Sequence, residues 1–132
     1  MLHDPLINKA VMLRESAKRL NISTEHSTDG FYLSDKPVAI ELESACRTCE
    51  EMGRYLINEN HWGNSKNTLD IFQKLVDHHV IDAKLSKRML SLISFGKLLR
   101  HASELKGKNC RIVLRSQQIK DFHVFTQNLL LS

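Results

Sequence analysis

No stretch of this 132-residue sequence approaches the ~18 consecutive apolar residues that a membrane-spanning helix requires. Its opening, Met1-Leu2-His3-Asp4-Pro5, lacks the basic-then-apolar layout of a secretory signal, so a cytoplasmic chain with no membrane association is expected. Cysteine is scarce and odd in number. Cys46, Cys49 and Cys110 do not make a disulfide framework, which suits a reducing compartment. Alternating polar and apolar residues occur only from Arg111 to Leu114, too short a run to argue for a sheet. Internal repeats and low-complexity tracts are missing. So are an HExxH pair, a glycine-rich phosphate loop and a nucleophile elbow. No metal and no cofactor is expected.

Helical periodicity fills most of the chain. Asp4-Pro5 starts a helix on a stripe of Leu6, Ala10, Leu13, Ala17 and Leu20, followed by a polar loop from Ser23 to Ser34. Ser34-Asp35 and Pro37 start a second helix, carried by Val38, Ile40, Leu42, Ala45, Cys49, Met52, Leu56 and Ile57 to about Glu59. Ser65 is the expected cap of a third, with an apolar face of Leu69, Phe72, Leu75 and Val76. Asp82 caps a fourth on Leu85, Met89, Leu92, Phe95, Leu99 and Ala102. The last runs from about Ser116 to Leu130 on Ile119, Phe122, Phe125 and Leu129. The expected fold is all-α, an antiparallel bundle of four main helices plus a shorter one. At this length, residues 1–132 form one domain, and 42% hydrophobic residues are enough for one core.

The net charge of +4 hides an asymmetry. Residues 84–120 hold ten basic side chains and one acidic one, a charge of +9. The rest holds nine basic and fourteen acidic side chains, or −5. A basic segment of this size suits an anionic, phosphate-bearing partner. A solvated cationic face with no partner is the bland alternative.

Four motifs invite a chemical reading. Cys46-Arg47-Thr48-Cys49 has redox or zinc spacing, but it falls in mid-helix without a second pair, and small core residues are the better account. His78-His79 at the end of the third helix reads as a C-terminal cap or a surface pair. Arg54 and His61 span a helix end and its loop, and their spacing reads as coincidence. In the fourth helix, Lys97 and His101 are four apart and share a face, with Glu104 three residues further. A histidine among cations has the parts to move a proton while the cations hold phosphate charge.

From about Lys36 to Leu130 the chain resembles the HepT-like branch of the HEPN superfamily. The stretch from Leu75 to Leu90, with Ile81-Asp82 inside it, is similar to the entry into the family's motif helix. Phe95 to Ser103 falls where the family has Phe-Arg-Asn-x-Leu-x-His-x-Tyr, and Asp121-Phe122-His123-Val124-Phe125 resembles its closing acidic-Phe-x-x-Phe helix. Phe95, Leu99 and His101 fit the motif. Gly96 stands in the place of the catalytic arginine, Lys97 in that of asparagine, and Ser103 in that of tyrosine.

The resemblance implies a toxin that pairs with a minimal nucleotidyltransferase antitoxin and cuts RNA without metal, at a cleft where two protomers join their motif helices. His101 is then the surviving acid/base group, with Lys97 or Arg100 in the arginine's role. Lysine offers a point charge where arginine offers a planar fork, so the exchange is not equivalent. Lys97, Arg100, Lys106, Lys108 and Arg111 are the expected RNA contacts. Ser103 lacks the tyrosine hydroxyl that some partner nucleotidyltransferases modify. A glycine within a helix costs about 1 kcal/mol relative to alanine and often marks a close approach. At Gly96 that approach is expected across a homodimer, unless the glycine is only the remnant of a lost arginine. The alternative function is a catalytically inactive HEPN module that binds RNA, a nucleotidyltransferase or a sister HEPN protein. A structural helical dimer with no role on nucleic acid is the third.

Overall fold

A computed structural model describes residues 4–25, 31–32, 36–106, 111–112 and 116–132, with side chains at 5–20, 39–98, 101 and 117–132. Five helices make up nearly all of it: α1 (Asp4–Glu25), α2 (Lys36–Glu59), α3 (Thr68–Asp77), α4 (Ala83–Lys106) and α5 (Ser116–Leu131). Two short strands, β1 (Phe31–Tyr32) and β2 (Arg111–Ile112), pair antiparallel with Phe31 opposite Ile112. The short run at Arg111 is thus part of a two-residue ladder, invisible in the sequence because its partner lies so far back in the chain.

Each helix buries the stripe that its spacing creates. Leu6, Ala10, Leu13, Ala17 and Leu20 are all buried, as are Ile119, Phe122, Phe125 and Leu129. The Phe72 and Phe125 rings meet at 5.5 Å between centroids and join α3 to α5. Two charge clamps on the opposite side, Lys9 with Glu51 and Arg19 with Glu41, fix α1 antiparallel to α2.

The structure revises four local expectations. Helix α1 continues to Glu25, past the expected loop start, because the first strong helix breaker in that segment is Gly30. Ile40 and Leu69 are exposed, and Ala39 and Ile71 take their places in the core. The cap of α3 is Asn67, whose side chain accepts from the Asp70 amide at 2.8 Å, and Ser65 is not used. Asn67 wins because α3 starts where Thr68 meets Glu50 of α2.

Helices α2 and α3 end in the same way. His61 donates to Asn58 O and Trp62 to Ile57 O; His79 donates to Val76 O and Val80 to Leu75 O. Each is a Schellman ending with a histidine in the left-handed position, φ 56° and 59°. His78 and His79 are therefore a helix ending, as their position suggests, and His61 has the same role. The Trp62 and His78 rings stack at 3.9 Å and bind the two endings together.

Candidate functional site

Helix α4 carries the candidate site, and its start is well defined. The Leu85 amide donates to Asp82 Oδ1 at 2.7 Å, and the Ser86 amide donates to Asp82 O. From there Leu85, Met89, Leu92, Ile93 and Gly96 face inward. Lys87, Ser91, Ser94, Leu98 and His101, at steps of four, three, four and three, form an outward stripe. Leu90 and Phe95 flank it half-buried, and Leu98 is 67% exposed. His101 thus stands in solvent at the end of a stripe of small and apolar residues.

Two of the other described motif positions, Gly96 and Lys97, have neighbours in α2. A Cβ on Gly96 would lie 3.5 Å from Cys46 Sγ, 3.7 Å from Leu42 Cγ and 3.9 Å from Glu43 Cα. The close approach at this glycine is therefore between α4 and α2 of one chain, not between motif helices of two chains. The Lys97 amino group lies 4.0 Å from Glu50 Oε1, turned towards α2. Arg100 and Ser103 lie in α4, with side chains outside the described residues. The same holds for the side chains of Lys106 and Arg111, and Lys108 lies wholly outside.

Glu50 is the residue that sequence reasoning missed. It accepts from Thr68 Oγ1 of α3 and faces Lys97 of α4. With Glu43, Cys46, Arg47, Ile93 and Lys97 it lines a crevice of about 100 Å³ beside Gly96. Glu43 is held in turn by Arg47 at 2.7 Å. Only the i,i+4 pair of Glu43 and Arg47 was legible in sequence. The pairing of Glu50 with Lys97 depends on how two distant helices rotate against each other.

The paired cysteines belong to the core. Both are buried, and Cys46 Sγ donates to Leu92 O at 3.8 Å. Burial pushes the Cys46 thiol up to about 12, with Glu50 adding to the effect, and burial holds Cys49 well above its ordinary value. Neither forms a thiolate near neutral pH, so neither is a nucleophile. Among the described residues no group of three or more histidine, cysteine or acidic side chains is placed to hold a metal, and no helix is long and apolar enough to cross a membrane.

The closing Asp121-Phe122-x-x-Phe125 pattern is structural. Both rings are fully buried, and the buried Asp121 carboxylate accepts from Arg88 Nε at 3.1 Å and from Gln117. That pair ties α5 to α4 below the exposed stripe.

No family model matches the chain, and no curated protein matches it by sequence. Solved structures do match by shape. One is a mutant of the toxin–antitoxin complex MntA–HpeT, at TM-score 0.74 and 14% identity, over 98% of this chain and 100% of that one. Another is the tri-AMPylated HEPN toxin of Shewanella oneidensis in complex with MNT antitoxin, at TM-score 0.74 and 14% identity, over 99% and 100%. A third is a toxin–antitoxin structure with AMP-PNP, at TM-score 0.72 and 16% identity, over 98% and 100%. The all-α bundle built from Leu6 to Leu129 is the fold of the HepT-like HEPN toxins.

Proposed function

We propose that this chain is the toxin-type component of a toxin–antitoxin pair, with RNA as its target and a minimal nucleotidyltransferase as its antitoxin. The observation that carries this reading is the end-to-end match to HEPN toxins determined in complex with MNT antitoxin. The residues add to it: a histidine at the motif position on an exposed face, within the most basic third of the sequence. A cytoplasmic location follows from the same reading.

In this scheme two copies pair through the outward stripe of α4. Leu98 and the half-buried Phe95 supply apolar surface, and Ser91 and Ser94 permit close approach. The two His101 side chains then line one cleft and move the proton on cleavage of the phosphodiester, without metal. Arg100, Lys106, Lys108 and Arg111 hold RNA phosphate, and Lys97 joins them on leaving Glu50.

One observation favours a second reading, in which the chain binds RNA or its partner protein and does not cut. Position 96 faces Leu42 and Cys46, and Lys97 is engaged by Glu50, so no described cation stands in for the missing arginine. The deciding experiment incubates RNA with the protein in EDTA and compares wild type, His101→Ala and Gly96→Arg. Cleavage lost in His101→Ala supports the first reading. Salt-dependent binding without cleavage supports the second, and cleavage gained only by Gly96→Arg shows a site that lacks just its arginine. Neither binding nor cleavage of RNA by any form overturns the first reading and the RNA form of the second.

A further inference from the structure

Helices α1 and α5 leave a groove between them on the side of α1 away from α2. It has a volume of about 260 Å³ and is lined by Ile7, Ala10, Val11 and Leu13 of α1 and by Phe122, Thr126 and Leu130 of α5, among others. Ile7 and Val11 are 40% and 51% exposed, and Leu131 at the same end is 84% exposed. These side chains offer the apolar residues of a partner a surface to pack on.

The other end of the groove carries basic side chains. Arg14 and His123 line it, one on each helix. Lys18, four residues beyond Arg14, and Lys120, three before His123, continue the two ridges. All four are exposed, and none lies in an ion pair among the described residues. The other α1 cations are paired: Lys9 with Glu51 and Arg19 with Glu41, both on the α2 side. Among the described residues no acidic side chain lines the groove. Glu15 acts on Arg19, and Asp121, the one acid of α5, is buried against Arg88.

We infer that this groove is a docking site for an acidic amphipathic helix of a partner protein, whose apolar ridge seats between Ile7, Val11 and Leu130 and whose carboxylates meet Arg14, Lys18, Lys120 and His123. Two parallel ridges with an apolar floor fit a helix laid into a groove. Charge at one end only fixes the direction in which it lies. RNA suits the cations but not the apolar floor, which offers phosphate nothing. The groove shares no lining residue with the α4 stripe, and its reading is independent of that of His101.

The test uses the full chain and two designed helical peptides of about 16 residues, each with a leucine stripe and a block of glutamates, placed at the N-terminal end in one and the C-terminal end in the other. Fluorescence anisotropy is expected to show that one of them binds and the other binds far less. Arg14→Glu weakens that binding by about tenfold, and a peptide with lysine in place of glutamate regains it on the Arg14→Glu protein. Val11→Glu abolishes binding of the acidic peptide. Both variants are at exposed positions, and unchanged urea midpoints confirm that they fold. Equal binding of acidic and basic peptides by wild type overturns the inference, as does failure of both acidic peptides to bind. Displacement of the peptide by oligo(U) in an Arg14-dependent manner assigns the groove to RNA and also overturns it. A dimer that dissociates on Val11→Glu assigns it to a second copy, with the same consequence.

Discussion

Gly96 of α4 faces Cys46 of α2 so closely that a methyl group added at Gly96 would rest 3.5 Å from the sulfur, an ordinary contact distance. Alanine therefore fits there without moving its neighbours, and it removes the backbone freedom that glycine brings to the unfolded chain. Gly53 is the contrasting case, since a Cβ there would meet Ile71 Cγ2 at 2.7 Å and Leu75 Cδ1 at 3.3 Å. Urea denaturation is expected to show Gly96→Ala more stable by about 0.5–1 kcal/mol, and Gly53→Ala less stable by about 1–3 kcal/mol. A loss of stability in Gly96→Ala would show that α2 and α4 lie closer than this.

The Arg88–Asp121 pair predicts an unequal response to losing either partner. Asp121 is 3% exposed at its side chain and Arg88 is 47% exposed. Removing the guanidinium leaves a buried carboxylate with Gln117 as its remaining partner among the described residues. Removing the carboxylate leaves a guanidinium that can turn to water. Arg88→Met should therefore cost about 3 kcal/mol and Asp121→Asn about 1 kcal/mol, read as shifts in urea midpoint at equal slope. Equal costs would contradict the burial difference.

Histidines at the ends of α2 and α3 hold left-handed backbone that favours glycine. His61→Gly and His79→Gly should each stabilise the chain by up to about 1 kcal/mol, and a β-branched replacement such as His79→Val should destabilise it by about 1–2 kcal/mol. If His61→Gly instead removes an activity and leaves stability unchanged, the spacing of Arg54 and His61 is not coincidence.

The helices were legible because each buries one stripe at helical spacing, and the stripes of α1 and α5 needed no tertiary information. The errors fell where several phases were open. In α2 and α3, Ile40 competed with Ala39 and Leu69 with Ile71, and packing between helices decided. His101 on an open face was legible from its distance to the stripe of Leu85, Met89 and Leu92. The orientation of Gly96 and the engagement of Lys97 by Glu50 were not, because both depend on how α4 rotates against α2. No local pattern carries that rotation.

Stability should also depend on pH through Glu41. The hydrogen bond from Arg19 holds its carboxyl below the ordinary value of 4.5, opposed by partial burial and aided by Ser16 and by the charge of Arg19. A carboxylate lowered on folding contributes stability above its unfolded pKa and loses that contribution as pH falls through the folded one. Because Arg19 is largely exposed, the contribution is at most about 1 kcal/mol and weakens with salt. Glu41→Gln should be less stable than wild type at pH 7, and the two should converge near pH 3 in low salt. A gap that persists at pH 3 would assign the effect to packing.

Under the proposed RNA-binding reading, the engagement of Lys97 by Glu50 predicts how that binding responds to a single carboxylate. Glu50→Gln keeps an acceptor for Thr68 Oγ1, so the joint between α2 and α3 survives, but it releases Lys97. A freed lysine on the α4 surface gains one phosphate contact, and each such contact to a single strand steepens the salt dependence by about 0.7 in log–log slope. Oligo(U) titrations at several salt concentrations should show Glu50→Gln binding more tightly at low salt, with that steeper slope. Lys97→Ala should give a shallower slope than wild type. The double variant separates a specific release from a general change in charge, since Glu50→Gln should add nothing once Lys97 is alanine. If it still tightens binding there, the gain comes from net charge alone and Lys97 is not an RNA contact.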